Sequence, residues 1–138
     1  MENSNSKTVR EMRKEAVVKT FFETVKKMRA NGRKVTQEEI FLDASTCAAP
    51  RFFITFEIAR RLISAMVNKR RLPIKNKNKI EMYKELYRRY MKQCKGNTGN
   101  YSILESIIEE PAPSFYLDAG SFRGIVYRTL GQRALQIV

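Results

Sequence analysis

The chain contains no histidine in 138 residues and only two cysteines, Cys47 and Cys94. Without histidine there is no Cys/His zinc site, no Ser-His-Asp triad, no Cys-His pair and no imidazole base. The two cysteines stand in unrelated settings and form no CxxC motif. They read as small apolar groups or free thiols in a reducing compartment. No apolar run approaches the roughly 20 residues of a transmembrane helix, and the opening MENSNSK lacks the hydrophobic core of a secretion signal. A cytoplasmic protein with no membrane partner is expected, with a short disordered polar tail over residues 1–7.

Acidic side chains are scarce as well. Asp and Glu number 14 against 27 Lys and Arg, for a net charge of +13. Such an excess repels itself on folding and is relieved by a polyanion, so nucleic acid is the expected partner. The acids that do stand together, Glu38 with Glu39 and Glu109 with Glu110, are adjacent. Adjacent helical residues point about 100° apart, so these pairs do not converge on a metal or a substrate. The expectation is a protein that is not an enzyme and carries no cofactor or metal.

What is present is helical periodicity. Val18, Phe21, Phe22, Val25 and Met28 recur at helix spacing through a first helix over about 8–31, closed by Asn31-Gly32. TQEE, Thr36 to Glu39, is a capping box opening a second helix to about Ser45. After Pro50, Phe52-Phe53-Ile54 reads as extended, and Thr55 caps a third helix with Ile58, Ala59, Leu62, Ile63, Met66 and Val67 inward. Asn68 to Lys79 reads as a basic connector. A fourth helix comes next over about 79–94, striped by Ile80, Tyr83, Leu86, Tyr87, Tyr90, Met91 and Cys94. GNTGN breaks the chain. A fifth helix carries Ile103, Leu104, Ile107 and Ile108, and Pro111 and Pro113 stop it. Phe115-Tyr116-Leu117 is extended, and Asp118 caps a sixth helix.

The two halves share a phrase. A shift of 63 residues lays Ala49, Pro50, Phe52 and Arg60 on Ala112, Pro113, Phe115 and Arg123 without a gap. Phe53, Ile54, Thr55, Leu62 and Ile63 then meet Tyr116, Leu117, Asp118, Ile125 and Val126, each swap keeping a physical role. The long helices correspond too if the second connecting turn is two residues shorter, with Val18, Phe21, Phe22 and Val25 on Tyr83, Leu86, Tyr87 and Tyr90. The expected fold is all-α, six helices as two duplicated three-helix units, 8–71 and 72–138, packed as one compact domain. Segments 52–54 and 115–117 are candidates for a small two-stranded pairing.

A three-helix unit with a basic third helix resembles the helix-turn-helix class of DNA-binding modules. About nine residues separate Ser45 from Thr55, where that class uses three or four, so the likeness is loose. The candidate nucleic-acid-binding residues are Arg51, Arg60, Arg61, Lys69, Arg70, Arg71, Lys75, Lys77 and Lys79. Arginine forks suit guanine edges and phosphates, and the lysine run suits phosphates. For Arg60, repeated as Arg123, a second reading stays open: bonding the carbonyls of the Ala-Pro-x-aromatic segment. Two readings also stand for Phe52, Phe53, Phe115, Tyr116, Tyr83, Tyr87 and Tyr90, namely core packing and stacking on unpaired bases.

Charge divides unevenly. Residues 1–76 hold 17 basic and 8 acidic groups, and residues 77–138 hold 10 and 6. Between Asn97 and Phe122 there is no Lys or Arg, only Glu105, Glu109, Glu110 and Asp118. The region 100–122 therefore suits self-association or another protein partner better than a polyanion.

The string APRFFITFEIARRLIS, through Ala49, Pro50, Arg51, Phe52, Phe53, Ile54, Ala59, Arg61, Leu62 and Ile63, resembles small basic proteins of gut Bacteroidales bacteria and their crAss-like phages. The second copy departs from that pattern, with Ser114 for the Arg, Phe122 for the Ala and Gly124 for the second Arg. The resemblance implies a mobile-element or phage setting, in the host cytoplasm or the virion, and no catalytic activity. Together these features lead us to expect a protein that binds nucleic acid, double-stranded DNA before RNA, in a regulatory or architectural role. The alternative is a structural, assembly or virion-associated protein meeting an acidic partner or a packaged genome.

Overall fold

The computed structural model describes residues 7–32 and 34–131. Residues 1–6 of the expected disordered tail lie outside these; Lys7 lies within them and pairs with Glu15 at 2.7 Å. The fold is all-α. Its helices are α1 (Val9–Ala30), α2 (Gln37–Ser45), α3 (Phe56–Val67), α4 (Lys77–Cys94), α5 (Leu104–Ile108) and α6 (Ala119–Leu130), with a 3-10 turn, Tyr101–Ile103, leading into α5.

Short polar side chains set the helix starts. Thr8 and Glu11 close a complete capping box on α1, and Thr36 accepts from the Glu39 N–H at 3.2 Å. Thr55 accepts from Ile58, Asn76 from Lys79 and Asp118 from Ser121. Each satisfies an amide that has no partner within its helix, worth about 1 kcal/mol apiece. The bonds from Ser121 hold the Asp118 carboxyl below its usual range.

The helices sort into two compact units, one made of residues 1–49 and 113–138, the other of residues 50–112. In the first, α1, α2 and α6 pack against one another; in the second, α3, α4 and α5 do. Third helices are thus exchanged relative to the sequence halves 8–71 and 72–138. α3 covers its apolar face with α4 and α5, which come after it in the chain, and α6 with α1 and α2, which begin the chain. The chain changes unit at Ala49-Pro50 and again at Ala112-Pro113, the dipeptide that the two phrases share. α2 and the α3 segment, which a helix-turn-helix would hold together, belong to different units.

The first unit is centred on Val17, Phe21, Val25, Ile40, Phe41, Ala44, Phe115, Phe122 and Val126. Phe21 stacks on Phe41 at 5.3 Å between ring centroids, and Phe115 meets Phe122 edge-on at 5.7 Å, in the range where aromatic pairs add stability beyond burial. Tyr127 joins α6 to α2 by donating to Gln37 Oε1 at 2.9 Å. In the second unit Phe52, Ala59, Ile63, Leu86, Tyr90, Leu104 and Ile107 are buried. Tyr90 stacks on Tyr101 and donates to the Thr98 carbonyl.

An ionic cluster ties this second unit together. Arg89, only 19% exposed, bonds Glu85 on its own helix at 2.7 Å and Glu110 beyond α5 at 3.0 Å. It also donates to the Pro111 carbonyl and lies 4.9 Å over the Phe52 ring. Gln93 donates to the other Glu110 oxygen. The carboxylate of Glu85, bonded by Arg88 and then Arg89, is held down to about 2.

The expected pairing of 52–54 with 115–117 does not form; neither segment is a strand. The Ile54 N–H turns back to the Phe52 carbonyl at 3.1 Å, and the Phe52 N–H is taken by the Ile108 carbonyl at 2.9 Å. Tyr116 sits at φ 56°, outside any strand conformation. Ile58, expected inward, is 38% exposed, because the buried stripe of α3 runs through Ala59, Leu62 and Ile63. Met91, expected within the α4 stripe, is likewise 38% exposed.

Local energetics make the fold testable at two positions. Because the Glu85 pKa falls on folding from 4.5 to about 2, its contribution is whole above pH 4.5 and lost as pH falls to about 2. For a partly solvated cluster this is on the order of 1–2 kcal/mol, and Glu85→Gln should flatten the acid limb of a denaturant-stability profile. Lys95, exposed at φ 50° at the end of α4, occupies a conformation that suits glycine. Lys95→Gly should therefore raise unfolding stability by about 0.5–1 kcal/mol.

Candidate nucleic-acid interface

All nine candidate residues lie in the second unit, but they do not act alike. Arg51 turns inward: its Nε donates to the Phe52 carbonyl at 3.0 Å and its Nη2 to the Ile54 carbonyl at 3.4 Å. The carbonyl-stitching role read for Arg60 is thus performed by Arg51, which is half-buried. Two of the Arg51 guanidinium nitrogens are thus engaged with backbone carbonyls of its own segment.

Arg60, Arg61 and Arg70 come together. With Glu57, Ile58 and Ser64 they line an open groove of about 460 Å³ on α3. Arg60 and Arg61 are adjacent on the exposed side of the helix. Arg70 reaches the same groove because α3 ends abruptly. Its N–H bonds the Ala65 carbonyl at 2.8 Å while the Lys69 N–H bonds Met66 at 3.1 Å, and Lys69 sits at φ 56°. This is the Schellman arrangement, and it turns the chain back over the last turn of α3. Arg70 Nη2 then donates to Ser64 Oγ at 3.3 Å. Glu57 is the single acid on the groove, and among the described residues no ion pair within 4 Å holds Arg60, Arg61, Arg70 or Arg71.

The remaining candidates are exposed but lie off that groove. Lys69, Arg71 and Lys75 belong to the non-helical connector. Lys77, expected there as well, instead opens α4 and shares its first turn with Lys79, the expected helix start; that turn contains no acid. Positive side chains at the positive end of a helix dipole cost about 0.3–1 kcal/mol each, an imbalance that a bound anion reverses.

The aromatics divide in favour of packing. Phe52, Phe115, Tyr83 and Tyr90 are buried, and burial raises the Tyr83 and Tyr90 hydroxyls above their usual range; Phe53, Tyr87 and Tyr116 are half-buried. Cys47 and Cys94 are free thiols. Among the described residues no group of three potential ligands could hold a metal, and no helix is long and apolar enough to cross a membrane.

A second basic cluster, missed in the sequence, lies in the first unit. Arg10, Arg13 and Lys14 on α1 and Arg128 on α6 line a cavity of about 210 Å³ with Ile125 and Thr129. Its sequence signal is the i, i+3, i+4 spacing of three cations on one helix face, which is unfavourable unless compensated.

No family model, curated protein or solved structure matches this chain.

Stability should separate the two arginine roles. Arg51→Ala loses charge-assisted bonds to two carbonyls and should cost about 1–3 kcal/mol. Arg60→Ala, on the open groove, should stay within about 0.5 kcal/mol of the parent. Urea titrations of both variants check this.

Proposed function

We propose that this chain is a non-catalytic nucleic-acid-binding protein that takes double-stranded DNA on the exposed face of α3. The supporting observation is the groove in which Arg60, Arg61 and Arg70 gather with one acid and, among the described residues, no ion pair. Arginines left without carboxylates keep their donors for an external acceptor, and a planar fork suits phosphate oxygens and guanine edges alike. Exposed Ile58 in the same groove offers an apolar contact of the kind a thymine methyl accepts. Arg71, Lys75, Lys77 and Lys79 extend the positive surface as phosphate contacts, which position a protein without reading sequence. A net charge of +13 adds long-range attraction. A regulatory or architectural role in a mobile element or phage is the setting we propose for this binding.

The alternative, an assembly or virion-associated protein that uses 100–122 as a partner surface, has less to work with. Glu110 is held by Arg89 and Gln93, and Asp118 caps α6. Glu105, Glu109 and Asp118 of that acidic group are exposed and outside any ion pair among the described residues, and Asp118 spends its carboxylate on the cap.

Fluorescence anisotropy with a labelled duplex tests the proposal. Binding should weaken with salt at a log-log slope of about 0.9 per phosphate contact. Replacing Arg60, Arg61, Arg70 and Arg71 together by Gln should lower affinity at least about tenfold and flatten the slope. Absence of binding in low salt, or an unchanged slope in the quadruple variant, would overturn it.

A further inference from the structure

The cluster in the first unit has a feature that the α3 groove lacks. Arg13 is half-buried, with its guanidinium pushed below its usual pKa first by burial and then by the like charges of Arg10 and Arg128. Neither nearby acid of α1 relieves it. Glu11 is engaged in the Thr8 capping box, and Glu15 is paired with Lys7 at 2.7 Å. Among the described residues no ion pair involves Arg10, Arg13 or Arg128. The C-terminal end of α6 supplies a partial charge of only about −0.5, against three guanidinium groups and the Lys14 ammonium. Arg10, Lys14 and Arg128 are exposed, so water carries part of the compensation and a bound anion would supply the rest.

Gly124 is part of how this cluster is built. A Cβ at this position would come within 3.1 Å of Arg128 Nη1. The missing side chain therefore leaves room for the Arg128 guanidinium to fold back along α6. In the register of the shared phrase, Gly124 stands where the first copy has Arg61. One turn later stands Arg128, whose side chain lines the cleft. The cavity of about 210 Å³ is below the roughly 300 Å³ at which drug-sized ligands begin, and it suits a single tetrahedral oxyanion.

We propose that the cleft formed by Arg10, Arg13, Lys14 and Arg128 is a phosphate seat, so that each compact unit carries its own contact to a nucleic-acid backbone. This rests on the reading of α3 as a nucleic-acid surface, and the two are separable by experiment. The ligand is a phosphodiester: Arg13 and Arg128 offer forks to its oxygens, and Arg10 and Lys14 add charge, while the Thr129 hydroxyl is given to the Ile125 carbonyl at 2.8 Å.

The test is duplex anisotropy across a salt series with three full-length variants. Arg13→Gln with Arg128→Gln should weaken binding at least about fivefold and lower the log-log salt slope by about 2, at about 0.9 per contact. Its melting temperature without ligand should equal or exceed the parent's, since a mutual repulsion is removed. Arg13→Lys with Arg128→Lys keeps every charge while removing the planar forks, and it should also weaken binding several-fold without loss of helix content. Equal affinity in this lysine variant would mean that bulk charge and not a built seat is at work, and would overturn the inference. If the double glutamine variant binds like the parent while the α3 quadruple variant does not, the seat is refuted and the α3 surface stands. If neither variant changes binding, both fall. Phosphatidylserine vesicle binding lost in the double glutamine variant, with duplex affinity unchanged, would refute the seat in favour of a membrane headgroup site.

Discussion

A proline cannot donate to a helix ladder, and the residue before it is pushed toward extended backbone. This chain places that restriction at Ala49-Pro50 and at Ala112-Pro113, which are the points where it passes between its two compact units. Neither α2 nor α5 can continue through the dipeptide. The segment after each of these prolines leaves the core of the preceding helix and delivers an aromatic ring, Phe52 or Phe115, into the other unit, where each is buried. Which helices α3 and α6 cover follows from the unit each step leads into.

The two crossings are secured by different chemistry. Phe52 lies under the Arg89 guanidinium, with its N–H held by Ile108 and its carbonyl by Arg51. Phe115 meets Phe122 edge-on. In the shared register Glu85 and Arg89 correspond to Thr20 and Thr24, and Glu110 to Cys47. Thr24 is buried and bonds its own helix at Thr20. One unit thus closes its long helix with an ion network and the other with a neutral hydroxyl. The first unit can therefore leave its arginines on α1 and α6 outside the core, whereas in the second Arg89 is consumed in holding the fold.

Helix identity was legible in the sequence because it is local. Thr36, Thr55 and Asp118 announce their helices, and each accepts the expected amide. Periodicity identifies an apolar face but not what covers it, so the exchange of α3 and α6 could not be read from Leu62, Ile63, Ile125 or Val126 alone. Arg51 shows the same limit at shorter range. Its bonds depend on how the backbone turns after Phe52, a property that composition does not carry. The groove of Arg60, Arg61 and Arg70 was largely visible because its members are close in sequence. The Arg10, Arg13, Lys14 and Arg128 cluster was not, because α6 supplies one member from the far end of the chain.

The exchange also orders events in time. Residues 50–112 form a continuous unit, so everything that α3, α4 and α5 need has been synthesised once Ala112 is made. The other unit is discontinuous: α1 and α2 are made first yet wait for α6 to cover Phe21 and Phe41. On a ribosome adding about 5–20 residues per second, that wait lasts several seconds. During it the apolar faces of α1 and α2 lack the cover that α6 later supplies.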